Sequence, residues 1–326
     1  MAKAHTANGD WRDSGRGRSA QSPRDIPRPG WRDIAWRLKD QIKEDRLSII
    51  SAGVAFYGLL AVFPALVAMV AIYGIAFDPQ QVERHVASLS AILPPQAAEI
   101  LLKQLHSLTS TGGTALGFGA IAGVLLALWS ASAGVRTLME ALNVAYDEEE
   151  ERGVLRFYGT ALLLTLGAIF GVLVAIGAVV ALPAVIGMIG LGDVLQNVVA
   201  YARWPILALA MILALAIVYR FGPSRPPARW AWVTPGAVIA TVLWIAGSAL
   251  FSLYVTKFGN YNETYGAAGA VVIMLMWFLL SAYAVLIGAE VNAELERQTR
   301  KDTTHGGRQP LGRRDAHAAD TVGRSR

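Results

Sequence analysis

Hydrophobic positions along the chain fall in long unbroken runs, not in the short alternations of a soluble fold. No Lys, Arg, Asp or Glu occurs in 47–77, 104–135, 157–192, 230–256 or 264–289. Each run exceeds the roughly 20 apolar residues that a helix needs to cross a bilayer core of about 30 Å. A further run over 194–219 is interrupted by Arg203, which leaves Trp204–Tyr219 clean. The pattern predicts an all-α polytopic membrane protein with six transmembrane helices. Two flanking stretches are amphipathic instead. In WRDIAWRLKDQIKEDRL, from residue 31, Ile34, Leu38 and Ile42 recur at four-residue spacing beside Trp31 and basic residues, the signature of a helix lying on the membrane face ahead of the first span. Between spans one and two, Val82, Val86, Leu89 and Leu93 form one stripe and Ala97, Leu101, Leu105 and Leu108 another, divided by Pro94–Pro95. These predict two external amphipathic helices.

Composition agrees: 54% of the 326 residues are hydrophobic and 16% charged, where a soluble domain carries about a quarter charged. Placement of the charges sets the orientation. Of 29 Lys and Arg, 24 lie in alternate segments outside the spans, counted from the N-terminus, and four in the intervening ones. Under the positive-inside rule this puts both termini in the cytoplasm. The acidic DEEEER at 147–152 dissents, but acidic residues weigh little in that rule. Residues 1–30, rich in Gly, Pro, Ser and Arg, and 297–326, which return to Gly, Arg, His and Asp, are expected to be disordered cytoplasmic tails around a membrane domain at 31–296. Cysteine is absent, which excludes disulfides and thiolate chemistry.

Candidate chemistry is confined to a few polar positions. Pro64 interrupts the first span, either as a functional break or as the ordinary proline of membrane helices. Arg136, Glu140 and Asn143 share one face near the end of span two, and the spacing of Arg136 and Glu140 lets them partly neutralise each other. Glu290, Asn292 and Glu294 end span six in GAEVNAELE. Ionisable groups inside spans are costly enough to be functional candidates, so both sets are expected to line an inward-facing vestibule; the alternative is interfacial charges with Arg136 snorkelling. The polar turn KFGNYNETYGAAG, with Tyr261, Asn262 and Tyr265, is an outer lip or a ligand site. No HxH, HExxH or HxxxH spacing, Walker loop or GxSxG occurs. No metal, no cofactor and no nucleic-acid partner are therefore expected. Membrane lipids and a small-molecule or lipid substrate are, and small-residue faces leave a homo-oligomer open.

Three blocks, AFYGLLAVFPALVAMVAIYG (55–74), LWSASAGVRTLMEALNVAYDEEEERGVLRFY (128–158) and the stretch from YRFGPSRPPARWAW to GAEVNAELE (219–296), resemble the YihY/BrkB family of bacterial inner-membrane proteins. The resemblance covers about 32–296. Its most specific parts are YNETYG, Trp277 of span six and the GAEVNAELE ending; Trp129 lies in the second block. It implies a six-helix membrane fold and brings an old ribonuclease label, against which the missing metal ligands and missing cytosolic domain argue. It supplies no catalytic set. The expected function is transport or lipid translocation of an unknown substrate, with a non-transporting scaffold or envelope-integrity role as the alternative, and no enzymatic activity.

Overall fold

The computed structural model describes residues 15–76, 114–181, 192–258 and 267–325. Six helices among them are long and apolar enough to cross a membrane. A surface helix α1 (Arg28–Glu44) precedes α2 (Leu47–Ala76), followed by α3 (Thr114–Ala145), α4 (Val154–Ile176, ending in a π-turn at Gly177–Ala181), α5 (Gly192–Phe221), α6 (Trp230–Phe258), α7 (Ala267–Glu296) and a single turn α8 (His317–Asp320). In hydrocarbon every backbone N–H and C=O must be satisfied within the segment, so runs of about 30 apolar residues resolve as helices whatever their intrinsic propensity. The α2 helix continues through Pro64, which is half-buried, and α5 and α6 likewise through Pro205 and Pro235. The two external amphipathic helices expected over 78–113 lie outside the described residues.

The spans pack in chain order, α2 on α3, α3 on α4, α4 on α5, α5 on α6 and α6 on α7, and α7 closes the ring on α2. Packing is uneven along the bundle. At the end that carries both termini, α2, α3, α5, α6 and α7 share one core built on Leu47, Leu142, Tyr219, Val233, Leu286 and Ala289. Farther along, 242–257 of α6 and 270–281 of α7 contain no buried residue. Glycine sets the tightest approach. A Cβ on Gly288 would stand 2.6 Å from the Gly236 carbonyl oxygen and 2.7 Å from the Ala240 Cβ, so α6 and α7 meet there backbone to backbone, as small residues allow.

The tails depart from expectation. Residues 15–27 and 297–325 are folded against the ends of α6 and α7. Arg300 N–H donates to the Arg18 carbonyl at 2.9 Å, His305 N–H to that of Pro227 at 2.8 Å, and Gly323 N–H to that of Arg297 at 2.8 Å. Ala228 and Thr304 form an antiparallel bridge. Composition misleads here because the arginines serve as backbone donors. Arg18 reaches the carbonyls of Gln298 (3.3 Å) and Gly323 (2.6 Å), and Arg314 those of Arg300 (2.8 Å) and Ala319 (2.5 Å). Carbonyls beyond a helix C-terminus need donors, and guanidinium groups supply them.

Close approach at Gly288 predicts that Gly288→Ala destabilises the protein by about 1–3 kcal/mol through overpacking. Gly167→Ala, where a Cβ meets nothing within 4 Å, should leave it unchanged. Thermal unfolding in detergent compares the two.

Candidate functional site

The polar ending of α7 is buried throughout: Glu290, Asn292, Glu294, Glu296, Gln298 and Thr299 are each at most 1% exposed. Most of these groups are structurally engaged. Asn292 Oδ1 accepts from Gly236 N–H at 2.7 Å and its amide donates to the Val233 carbonyl at 3.1 Å, pinning α6 to α7. Glu294 accepts from Arg37 of α1 and, at 2.9 Å, from Arg297. Glu296 accepts from Arg225 at 2.6 Å and from the Thr303 hydroxyl at 2.5 Å. Glu290 differs: among the described residues no N–H group donates to its carboxyl oxygens, and it lies against the carboxyl of Asp45, with those of Glu294 and Asp147 nearby. Asn292, Glu294 and Glu296 thus form a buttress that holds α6, α1, the 222–229 loop and the C-terminal segment to the end of α7.

Asn143 belongs to the same system. Its amide donates to Glu150 at 2.9 Å and its Oδ1 accepts from Ser224 N–H at 2.7 Å, tying the acidic 147–152 loop to the 222–229 loop. Burial opposes ionisation of Glu150, but hydrogen bonds from Arg152 and Asn143 hold its carboxyl down at about 2. Glu148 goes the other way: burial lifts it to about 7 despite nearby Arg225 and the His317 N–H. Burial also weighs against the charge on Arg225, which Glu296 more than offsets, so its pKa is raised.

Arg136 stands apart. It sits in α3 nine residues, roughly 13 Å, before the helix end at Ala145. Its guanidinium lies 5.2 Å from the Trp129 ring centroid and 4.9 Å from that of Tyr158 on α4, and the two rings are themselves stacked 4.8 Å apart. It donates to the Ser132 hydroxyl and, at 3.4 Å, to the Trp129 carbonyl. The expected pairing with Glu140 is not formed, and Glu140 is exposed on α3. Helical side chains lean toward the N-terminus, so Arg136 reaches back to Ser132 and Trp129 and does not snorkel toward the nearer helix end. Trp129 is 52% exposed; the box opens on the outer surface of the α3–α4 pair. Trp277 serves a different contact. Its indole N–H donates to Ser248 at 3.3 Å while Trp244 donates to Ser281 at 3.1 Å, a reciprocal clasp between α6 and α7. Pro64 lies in α2 with no polar partner recorded, and Tyr261, Asn262 and Tyr265 lie outside the described residues. Spacing could have linked Ser132 and Trp129 to Arg136, four and seven residues back; Tyr158, Arg37 and Arg225 come from other elements and carried no such signal. Among the described residues no group of three or more His, Asp or Glu side chains is placed to hold a metal ion.

A family profile described as virulence factor BrkB matches residues 38–311. The chain belongs to the BrkB family. Among similar proteins, a ribonuclease-like protein, YfkH, of Bacillus subtilis is 33% identical over 258 residues, 76% of this chain and 90% of its own length. A UPF0761 membrane protein of Photobacterium profundum is 27% identical over 79% of each chain, and another from Idiomarina loihiensis is 28% identical over 64% of this chain and 71% of its own. No solved structure matches. With six candidate spans, this BrkB-family chain is a multi-pass membrane protein. The match takes in Arg225, Asn292, Glu294 and Glu296 and runs beyond α7 to residue 311, while Arg37 lies one residue before it.

Removing one partner of a buried ion pair leaves an uncompensated charge, which costs about 3–5 kcal/mol. Arg225→Met should therefore destabilise this BrkB-family protein more than Arg225→Met combined with Glu296→Met. A double-mutant comparison of unfolding temperatures checks the order.

Proposed function

We propose that this protein moves an anionic amphiphile, a phospholipid or a molecule of like chemistry, through the inner membrane with both termini in the cytoplasm. One observation carries the reading. Arg136 is a guanidinium within a span, without a carboxylate partner among the described residues, held over two stacked aromatic rings on an exposed face. A charge kept in a membrane helix at such cost is a functional group by default. Cation–π contact orients a guanidinium but does not neutralise it; a phosphate or carboxylate headgroup would, by charge-assisted hydrogen bonds. The shared core at the terminal end and the exposed outer faces of α6 and α7 beyond it suit an amphiphile that meets the bundle in its far half. Membrane lipids are then both solvent and substrate class.

A second reading, a non-transporting scaffold, is favoured by the folded terminal cap, which presents 305–313 as a continuous exposed segment. The two separate in one assay. The purified chain is reconstituted in liposomes carrying a trace of fluorescent phosphatidylglycerol, and exchange between leaflets is followed by quenching from outside. Transport predicts exchange above protein-free liposomes, reduced about ten-fold or more by Arg136→Ala and largely kept by Arg136→Lys. Exchange unaltered in Arg136→Ala, or absent from the wild type, would count against the role assigned to Arg136.

A further inference from the structure

The amphipathic α1 buries one face and leaves the other exposed. Ile34, and Leu38 in part, pack with Ile26 against Trp232 of α6 and Val291 and Leu295 of α7, so α1 lies across the terminal ends of those two spans, and its own end runs through Arg46 into α2. The outward face carries Arg28, Arg32, Trp36, Lys39 and Lys43, all exposed and spaced three to four residues apart. Trp31 and Trp36 are 39% and 40% exposed, and the Lys39 ammonium sits 5.5 Å from the Trp36 ring. At the N-terminal end of this stripe is a cleft of about 620 Å³ lined by Arg16, Arg28, Pro29, Arg32, Asp33 and Trp36. Asp33, the acid of that cleft, is engaged by Arg16 at 2.6 and 2.8 Å. Among the described residues no carboxylate is in ion-pair contact with Arg28 or Arg32. Asp40 and Glu44 are the exposed acids of the helix, both toward its other end.

We propose that this cleft is a binding site for the headgroup phosphate of an anionic phospholipid in the leaflet on the terminal side, with the exposed face of α1 lying along that leaflet. Charge complementarity chooses the occupant: among the described lining residues three arginines face one carboxylate that is already paired, and planar guanidinium groups bind phosphate in bidentate fashion. Two half-exposed tryptophans beside the cleft place it at the depth of the headgroups, where amphipathic rings collect. Basic residues next to a span draw anionic lipid, and each adds to the attraction. Nucleic acid would also meet a basic stripe, but the stripe adjoins the point where the chain turns into the membrane. This site is distinct from the Arg136 box, on other helices, and stands whether or not the chain transports.

The full chain in nanodiscs of phosphatidylcholine with a minor share of photoactivatable phosphatidylglycerol tests it. After irradiation, crosslinked peptides are mapped by mass spectrometry. The site predicts crosslinks within 28–39, suppressed by unlabelled phosphatidylglycerol but not by inorganic phosphate. Arg28→Gln with Arg32→Gln should lower crosslinking at α1 about twenty-five-fold, two charges at about five-fold each, while Arg28→Lys with Arg32→Lys keeps most of it and Arg136→Ala leaves it unchanged. Both arginines are exposed, so an unaltered unfolding temperature is expected in the Gln pair. Equal crosslinking by a photoactivatable phosphatidylcholine, no response to the Gln pair, or full competition by inorganic phosphate would each overturn the assignment.

Discussion

Everything at the terminal end of this molecule depends on keeping the last two turns of α7 polar and buried at once. Burying a charged or amide group is costly unless it is hydrogen-bonded, and Asn292, Glu294 and Glu296 each accept a hydrogen bond, from α6, α1 and the 222–229 loop respectively. Each bond names a different element. The helix end therefore acts as a common post, to which the surface helix, the loop and both tails are tied in one fixed arrangement. A hydrophobic ending would bury as much area but would specify no partner, and in a membrane protein it would slide into the lipid. Such polar contacts contribute little net stability once desolvation is counted; what they supply here is register.

The same constraint separates structural charge from functional charge. Glu294, Glu296, Arg37 and Arg225 are matched, acid against base. Arg136 is matched by aromatic faces and a hydroxyl. A matched buried pair gains nothing by meeting a ligand, because the ligand would have to displace a partner. The Arg136 guanidinium keeps its charge available. That contrast turns attention from the end of span six, where the acids are most concentrated, to a single residue of span two.

Much of the fold was legible in the sequence because the bilayer leaves few options. Five charge-free runs and one interrupted by Arg203 became the six long helices, and Ile34 and Leu38 of the predicted surface helix turned inward as their spacing requires. The tails were misread for a physical reason: Gly, Pro and Arg signal disorder when side chains face water, whereas Arg18 and Arg314 point inward to backbone carbonyls beyond α7. Site residues were visible as types but not as pairs. Arg136 with Glu140 was the local pairing that spacing offered; the actual partner Tyr158 belongs to the next helix, and no one-dimensional pattern joins them. Asn143 and Asn292 were singled out as polar and prove to be cross-links between loops and helices.

The central claim is that both tails are folded onto the end of α7, and amide hydrogen exchange of the full chain in nanodiscs tests it most directly. The account predicts that Arg300, His305 and Gly323, whose N–H groups donate to Arg18, Pro227 and Arg297, exchange at least a hundred-fold more slowly than free peptide, a factor of ten for every 1.4 kcal/mol of opening free energy. Arg225→Met should speed exchange across 297–305. Exchange of 15–27 and 297–325 at the rate of an unfolded peptide would contradict the account and return the tails to disorder.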